Sequence, residues 1–133
     1  MIYFDNAATT MVMKEAADGV LYAMSEAYGN PSSLHKMGID AERLVNFSKK
    51  QILSALSDSS GNVIFTSGAT ESNNTAILGL AKTYGRRKKR VVTTAVEQPS
   101  VTMPFEKLRE LSYEVVTVYP DSHGEITPES LIS

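Results

Sequence analysis

The strongest constraint on the fold of this chain is a change of hydrophobic period after residue 61, where short β-rich runs begin to alternate with helical patterns. The predicted elements of this part are the strand Val63–Thr66, the helix Ala69–Tyr84, the strand Val91–Thr94, the helix Ser100–Leu111 and the strand Tyr113–Val118. Strands that alternate with helices build a mostly parallel sheet covered by helices. The sequence therefore predicts an α/β fold.

Two helices are predicted before this alternating part. Apolar residues recur every three to four positions from Val12 to Tyr28 and again from Gly38 to Leu56, which is the period of an amphipathic helix. The run Gly29–Ser33 separates the two helices, because glycine, proline and short polar residues interrupt helical structure.

A further helix start is predicted at Ile126–Ser130, where a threonine cap is followed by proline and glutamate. The sequence stops at Ser133 after about one turn of this helix, so we expect a chain that has been cut short. The predicted organisation is a single partial domain over residues 1–133. It consists of an N-terminal helical segment (1–60) and the start of an α/β domain (61–133).

Composition and charge exclude several classes of protein. Hydrophobic residues make up 42% and the formal net charge is −2, so we expect no nucleic-acid partner. No apolar run approaches the ~20 residues that span a bilayer, and the N-terminus lacks a secretory signal, so we expect a cytoplasmic protein with no membrane partner. The sequence has no cysteine, and His35 and His123 are far apart, so no metal site is expected.

The segment Phe65–Asn74 carries the strongest chemical signal. A predicted strand ends there, Gly68 permits a tight turn, and a helix begins with small residues. The first N–H groups of a helix lack internal partners and carry partial positive charge, so they form an anion site that a phosphate can approach. The hydroxyls of Ser67 and Thr70 can add hydrogen bonds to phosphate oxygens. The alternative is that Ser67 and Thr70 only cap the helix.

Four segments in order resemble motifs of the cysteine desulfurases, a branch of the class V aminotransferases. These segments are Tyr3–Thr10, Gly29–His35, Phe65–Asn74 and Val96–Val101. The resemblance implies the N-terminal part of the large cofactor domain of a fold-type I enzyme that depends on pyridoxal 5′-phosphate. In that family a lysine carries the cofactor, and a reactive cysteine takes sulfur from L-cysteine as a persulfide, leaving L-alanine. The resemblance also implies a homodimer and a sulfur-acceptor protein, for iron–sulfur cluster assembly or tRNA thiolation.

By the same resemblance, Ala69 and Thr70 match the pair that holds the cofactor phosphate. Asn30, Ala8 and Thr9 match segments that line the substrate side of the pocket. For Asn30, as for Asp5 and Asn6, turn and cap chemistry is an equally good interpretation.

Gln98 departs from the family pattern, because it stands where the family has a histidine that stacks on the cofactor ring. Glutamine has no aromatic face and no side-chain pKa near neutrality, although it can still hydrogen-bond to the cofactor. No residue of this sequence matches the family's lysine, the carboxylate that faces the pyridine nitrogen, the substrate-binding arginine or the reactive cysteine. We therefore expect no catalytic residue within the chain and no activity from these residues alone.

Two alternatives stay open on the sequence. Gln98 is compatible with another class V enzyme, such as an aminotransferase or a selenocysteine lyase. A short protein of this kind can also be a non-catalytic dimerisation or binding module. The basic run Arg86–Arg90 follows a predicted helix C-terminus, where cations are favoured, so we interpret it as a solvated loop rather than a nucleic-acid site.

Overall fold

The computed structural model describes residues 2–131, which form two compact units, one up to Ile64 and one from Phe65 onward. The helices are α1 (Lys14–Ser25), α2 (Lys36–Ala55), α3 (Ala69–Tyr84) and α4 (Pro99–Glu110). The strands are β1 (Arg90–Thr94) and β2 (Glu114–Val118), and a 3₁₀ turn covers Glu129–Leu131. The single partial domain and its division at residue 60 stay predictions.

The second unit is built on a parallel strand pair. β1 and β2 are joined by α4 and run side by side, with Val91 opposite Val115. Parallel neighbours need such a crossover, since a tight hairpin can join only antiparallel strands. This arrangement confirms the predicted α/β fold. Pro99 begins α4, a position that proline tolerates because the first helical N–H has no partner inside the helix.

The core of the second unit lies between α3, α4 and β2. Leu108 of α4 is 2% exposed and Ala81 of α3 is also buried. The hydroxyl of Tyr113, just before β2, donates to the carbonyl oxygen of Ala81 at 2.7 Å. A Cβ on Gly85 would lie 1.8 Å from that hydroxyl, so only glycine lets the chain pass there. α3 packs on α4, and the bond from Tyr113 ties it to the segment just before β2.

The predicted strand Val63–Thr66 is not a strand in the structure. Its valine, isoleucine and threonine residues favour an extended backbone, but a strand also needs a neighbour that pairs with its N–H and C=O groups. Among residues 2–131 the sheet contains only β1 and β2, so this segment has no strand partner.

The predicted helix at the end of the chain is a 3₁₀ turn in the part that the structure describes. Thr127 caps it, because its side-chain oxygen accepts from the N–H of Ser130 at 3.4 Å. The continuation of that helix through residues 132 and 133 lies outside the described residues.

The first unit contains α1 and α2. α2 begins two residues earlier than predicted, because the Nδ1 atom of His35 accepts from the N–H of Gly38 at 3.4 Å and so caps the helix. Histidine is not among the preferred capping residues, which is why the sequence pattern missed this start. Gly38 and Ala41 are buried, whereas α1 has no buried residue. No helix within residues 2–131 has the length and apolar character needed to cross a membrane.

Candidate functional site

The start of α3 presents unpaired backbone donors. Gly68 precedes the helix with a fully extended backbone and no side-chain cap. Among residues 2–131, no acceptor bonds to the N–H groups of Ala69, Thr70 and Glu71, and all three residues are exposed. The helix dipole adds partial positive charge at this end. This first turn can therefore receive an anion through several N–H groups at once.

Thr70 and Ser67 differ in what their hydroxyls do. Thr70 lies inside the first turn of α3, and its hydroxyl has no partner among the described residues, so it does not cap the helix. Ser67 donates both its N–H and its hydroxyl to one oxygen of Glu71, Oε2, at 2.7 and 2.6 Å. Because a hydroxyl has a single proton, the Ser67 hydroxyl is not free to donate to a phosphate. In this structure Thr70 has the available hydroxyl, and the prediction that these two hydroxyls can add hydrogen bonds to a phosphate stays a prediction.

The hydroxyls of Thr66 and Ser72 form further hydrogen bonds that restrain the loop before α3. The hydroxyl of Thr66 donates to the carbonyl oxygen of Gly68 at 3.1 Å and lies 2.7 Å from the hydroxyl of Ser72. Because the single hydroxyl proton of Thr66 is donated to Gly68, the Ser72 hydroxyl must be the donor in its bond with Thr66. The hydrogen bonds from Ser67 hold the pKa of the Glu71 carboxyl below its usual value, first through the hydroxyl and then through the N–H.

Gln98 lies at the N-terminal end of α4. Its carbonyl oxygen accepts from the N–H groups of Val101 and Thr102, at 2.9 and 3.1 Å. Its side-chain amide is exposed and has no partner in the described part of the chain. The amide can therefore turn toward a ligand without breaking a bond in the protein. Glu97 beside it is held differently, since its Oε1 accepts from the Thr94 hydroxyl at 2.7 Å.

One hydrogen bond brings the two helix starts together. The side-chain amide of Asn73 in α3 donates to the hydroxyl of Ser100 in α4 at 2.8 Å, in a partly buried position. Ala69 and Thr70 lie in the first turn of α3, and Gln98 immediately precedes α4. The three residues that we predicted to bind the cofactor therefore lie on neighbouring helix N-termini of one unit.

The donors at the start of α3 fit a phosphate. They are neutral N–H and hydroxyl groups, which suit an anion and not a cation. A Cβ built on Gly68 would meet nothing within 4 Å, so the approach to this turn is open. Within the described residues no group of three or more His, Cys, Asp or Glu side chains can hold a metal ion.

Asn30, predicted on the substrate side, lies in the first unit. Its Oδ1 accepts from the N–H of Ser32 at 2.9 Å, which is turn chemistry of the kind that we considered. A Cβ on Gly38 would lie 2.2 Å from the carbonyl oxygen of Ser33, so this loop packs tightly on the start of α2. The side-chain NH₂ of Asn30 has no partner among residues 2–131. It is free to donate to a ligand.

Ala8 and Thr9, the other substrate-side candidates, belong to a turn near the N-terminus. Their N–H groups donate to the carbonyl oxygen of Asp5 at 3.1 and 3.4 Å. Asn6 also acts through its backbone, since its carbonyl oxygen accepts from the Thr10 hydroxyl at 3.4 Å. These bonds shape the turn, and the substrate-side assignment of both residues stays a prediction.

Three residues of the site had no individual role predicted from the sequence: Glu71, Asn73 and Ser100. A glutamate in the first turn of a helix, shortly after a serine, is a recognisable capping signal, so Glu71 could have been found. The bond between Asn73 and Ser100 joins residues that are 27 positions apart, so no local sequence pattern predicts it.

The basic run is partly engaged in the fold. The Nε atom of Arg90 lies 2.8 Å from a carboxylate oxygen of Glu114, across the strand pair. The Nζ atom of Lys89 lies 5.6 Å from the centre of the Tyr113 ring, a cation–π distance. Both contacts favour the interpretation of this run as a loop that leads into β1.

An α/β unit that presents unpaired N–H groups and a free threonine hydroxyl at a helix start is typical of phosphate-binding α/β domains. Residues 2–133 match the model of the class-V aminotransferases, and the chain belongs to this family. Class-V aminotransferases are pyridoxal-phosphate enzymes.

Three similar proteins illustrate the relationship. A NifS/IcsS protein homolog of Lactobacillus delbrueckii subsp. bulgaricus is 41% identical over 131 residues, covering 98% of this chain and 34% of its own length. Cysteine desulfurase IscS 1 of Archaeoglobus fulgidus is 36% identical, covering 97% of this chain and 34% of its own length. A solved NifS-like protein superposes with a TM-score of 0.90 at 35% identity, covering 98% of this chain and 36% of its own. The chain thus spans about a third of these relatives.

Proposed function

We propose that this chain is the N-terminal portion of a pyridoxal-phosphate-dependent cysteine desulfurase, in which it holds the cofactor phosphate. The overall reaction converts L-cysteine to L-alanine and transfers the sulfur through a persulfide on the enzyme. The observation that carries the proposal is the open first turn of α3, where Ala69 and Thr70 offer unpaired donors. The name of the Archaeoglobus fulgidus relative supports the choice of reaction.

In this proposal the residues of the chain bind and orient the cofactor. The N–H groups of Ala69 and Thr70 and the Thr70 hydroxyl donate to the phosphate. Gln98, from the neighbouring helix start, donates or accepts a hydrogen bond at the ring. Pyridoxal phosphate, when bound, supplies an electron sink for the amino-acid substrate. The substrate is placed by Asn30, Ala8 and Thr9.

Other steps need a reactive cysteine and a cofactor-bearing lysine, and no residue of this sequence matches the family's motif for either. The chain has no cysteine, so the persulfide cannot form on it. The proposal therefore includes a cysteine and a cofactor-bearing lysine contributed from outside the chain. It also includes a homodimer, a sulfur-acceptor protein, a role in iron–sulfur cluster assembly and a cytoplasmic location, all implied by the resemblance to the family.

A second candidate function is favoured by one observation. Gln98 replaces the stacking histidine of the desulfurases, and its side chain is unpaired among the described residues. A different side chain at this position suits a different reaction on the same cofactor, such as transamination or selenocysteine cleavage. The second candidate is therefore another class V enzyme.

A chimera tests both candidates. Residues 2–131 replace the aligned third of the Archaeoglobus fulgidus desulfurase, and alanine production from L-cysteine is measured beside the unaltered relative. We expect the chimera to bind pyridoxal phosphate and to form alanine. A folded chimera that binds the cofactor but forms no alanine from cysteine would refute the desulfurase assignment. If it then transaminated other amino acids or cleaved selenocysteine, the second candidate would take its place.

A further inference from the structure

Glu71 lies in the first turn of α3 and accepts hydrogen bonds from the loop before it. Both donors of Ser67, its N–H and its hydroxyl, bond to the single oxygen Oε2, at 2.7 and 2.6 Å. In the usual capping box, a glutamate at this position bonds to the N–H of the residue that caps the helix. Here the capping residue is Gly68, but the Glu71 carboxylate accepts from Ser67 and not from the N–H of Gly68.

Because Glu71 accepts from Ser67, it leaves the first N–H groups of the turn without a side-chain acceptor. The N–H groups of Gly68, Ala69 and Thr70 stay unpaired among residues 2–131, although a carboxylate lies in the same turn. Gly68 is the residue of the loop with the greatest backbone freedom, because it has no Cβ. The bonds from Ser67 to Glu71, from Thr66 to Gly68 and from Ser72 to Thr66 restrain it on both sides.

We infer that Glu71 is a positioning residue for the cofactor phosphate: it fixes the Ser67–Gly68 loop so that the donors of Ala69 and Thr70 stay open to an anion. This inference rests on the proposed function, since the phosphate is the one assigned there to Ala69 and Thr70. Glu71 itself does not contact the phosphate in this account.

Because Glu71 is negatively charged, a positioning role and simple charge repulsion predict different changes in phosphate affinity when it is replaced. A carboxylate near a phosphate repels it, so charge alone predicts that any neutral replacement tightens phosphate binding. Positioning predicts a difference between two neutral replacements. In the original chain both hydrogen bonds from Ser67 go to the same oxygen of Glu71, Oε2. Glutamine keeps one side-chain oxygen, which can accept both bonds. Alanine keeps neither bond.

The experiment titrates the ¹⁵N-labelled 133-residue chain with pyridoxamine 5′-phosphate and follows the amide signals of Ala69 and Thr70. This probe has no aldehyde, so it does not react with lysines, and pyridoxamine without phosphate is the control ligand. We expect Glu71→Ala to weaken the phosphate-dependent affinity roughly tenfold, equivalent to about 1.4 kcal/mol. Glu71→Gln should bind within about threefold of the original chain, or more tightly.

Two further variants make the comparison sharper. Glu15→Ala removes a first-turn glutamate from α1 and should leave the affinity unchanged. Ser67→Ala removes one of the two donors to Glu71 and should weaken binding about threefold. If Glu71→Ala does not fold, Ser67→Ala decides the question, and a Ser67→Ala chain that binds like the original would overturn the inference.

The remaining outcomes separate the competing explanations. Tighter binding by both Glu71 variants would show that only charge matters. Unchanged affinity with a lowered melting temperature would make Glu71 a helix cap and nothing more. Either result overturns the positioning role and leaves the proposed function standing. If neither the original chain nor the chimera binds pyridoxamine 5′-phosphate in a phosphate-dependent way, the proposed function falls and the role of Glu71 falls with it. If only the chimera binds it, the same variants are compared in the chimera.

Discussion

Replacing Thr70 by alanine separates phosphate binding from helix stability. The Thr70 hydroxyl has no partner among residues 2–131 and does not cap α3, so the substitution breaks no bond within the described protein. The side chain is exposed, and alanine is the better helix former, so we expect the free energy of unfolding to change by no more than about 0.5 kcal/mol.

The effect on phosphate binding should be larger. A hydrogen bond to a charged group contributes about 1–3 kcal/mol, which corresponds to roughly 5- to 150-fold in Kd. Because the turn is exposed and water competes for the phosphate, we expect a loss near the lower end in the isolated chain. In the chimera, where the site is more enclosed by the rest of the enzyme, the loss should be greater.

The assay pairs two measurements on the same variants. Titration with pyridoxamine 5′-phosphate gives the affinity, and a thermal melt followed by circular dichroism without ligand gives the stability. Thr83→Ala is the matched control, since it is the same substitution in the same helix, where the hydroxyl donates to the carbonyl oxygen of Gly79 at 2.8 Å. A Thr70→Ala chain with unchanged affinity and a lowered melting temperature would refute the assignment of Thr70 to the phosphate.

Three further predictions follow from the site. The purified 133-residue chain should release neither alanine nor sulfide from cysteine, and release by a preparation free of other enzymes would contradict the proposal. In the chimera, Gln98→His should raise alanine turnover by about 100-fold or less, because a titratable ring returns, and a slower variant would show that glutamine suits its pocket. The carboxylate of Glu71, whose pKa is lowered by Ser67, should stabilise the fold above its unfolded pKa near 4.5 and lose this effect below it. Denaturant titrations from pH 3 to 7 should therefore show a smaller pH dependence for Glu71→Gln.

Local patterns were sufficient for the elements whose stability is mostly local. α3 has the predicted bounds, because glycine, small residues and an apolar stripe mark its start and its course. β1 and β2 agree with their predicted positions within one residue, since each is a short β-branched run between turn signals. The turn with unpaired donors at the start of α3 was recognisable for the same reason, because free N–H groups at a helix start follow from the chain direction alone.

Tertiary structure decided what depends on a distant partner. Val63–Thr66 has the composition of a strand, yet without a neighbour to pair with, its backbone forms no ladder. The sequence did not show which of the hydroxyls of Thr70 and Ser67 is engaged within the protein. In the structure the Ser67 hydroxyl donates a hydrogen bond to Glu71, whereas the Thr70 hydroxyl has no partner among the described residues. The bond from Asn73 to Ser100 joins the N-terminal parts of α3 and α4, which are far apart in the sequence. The residue type determines which hydrogen bonds a side chain can form. Only the folded chain determines which acceptor each donor bonds to, because that depends on which groups packing brings within reach.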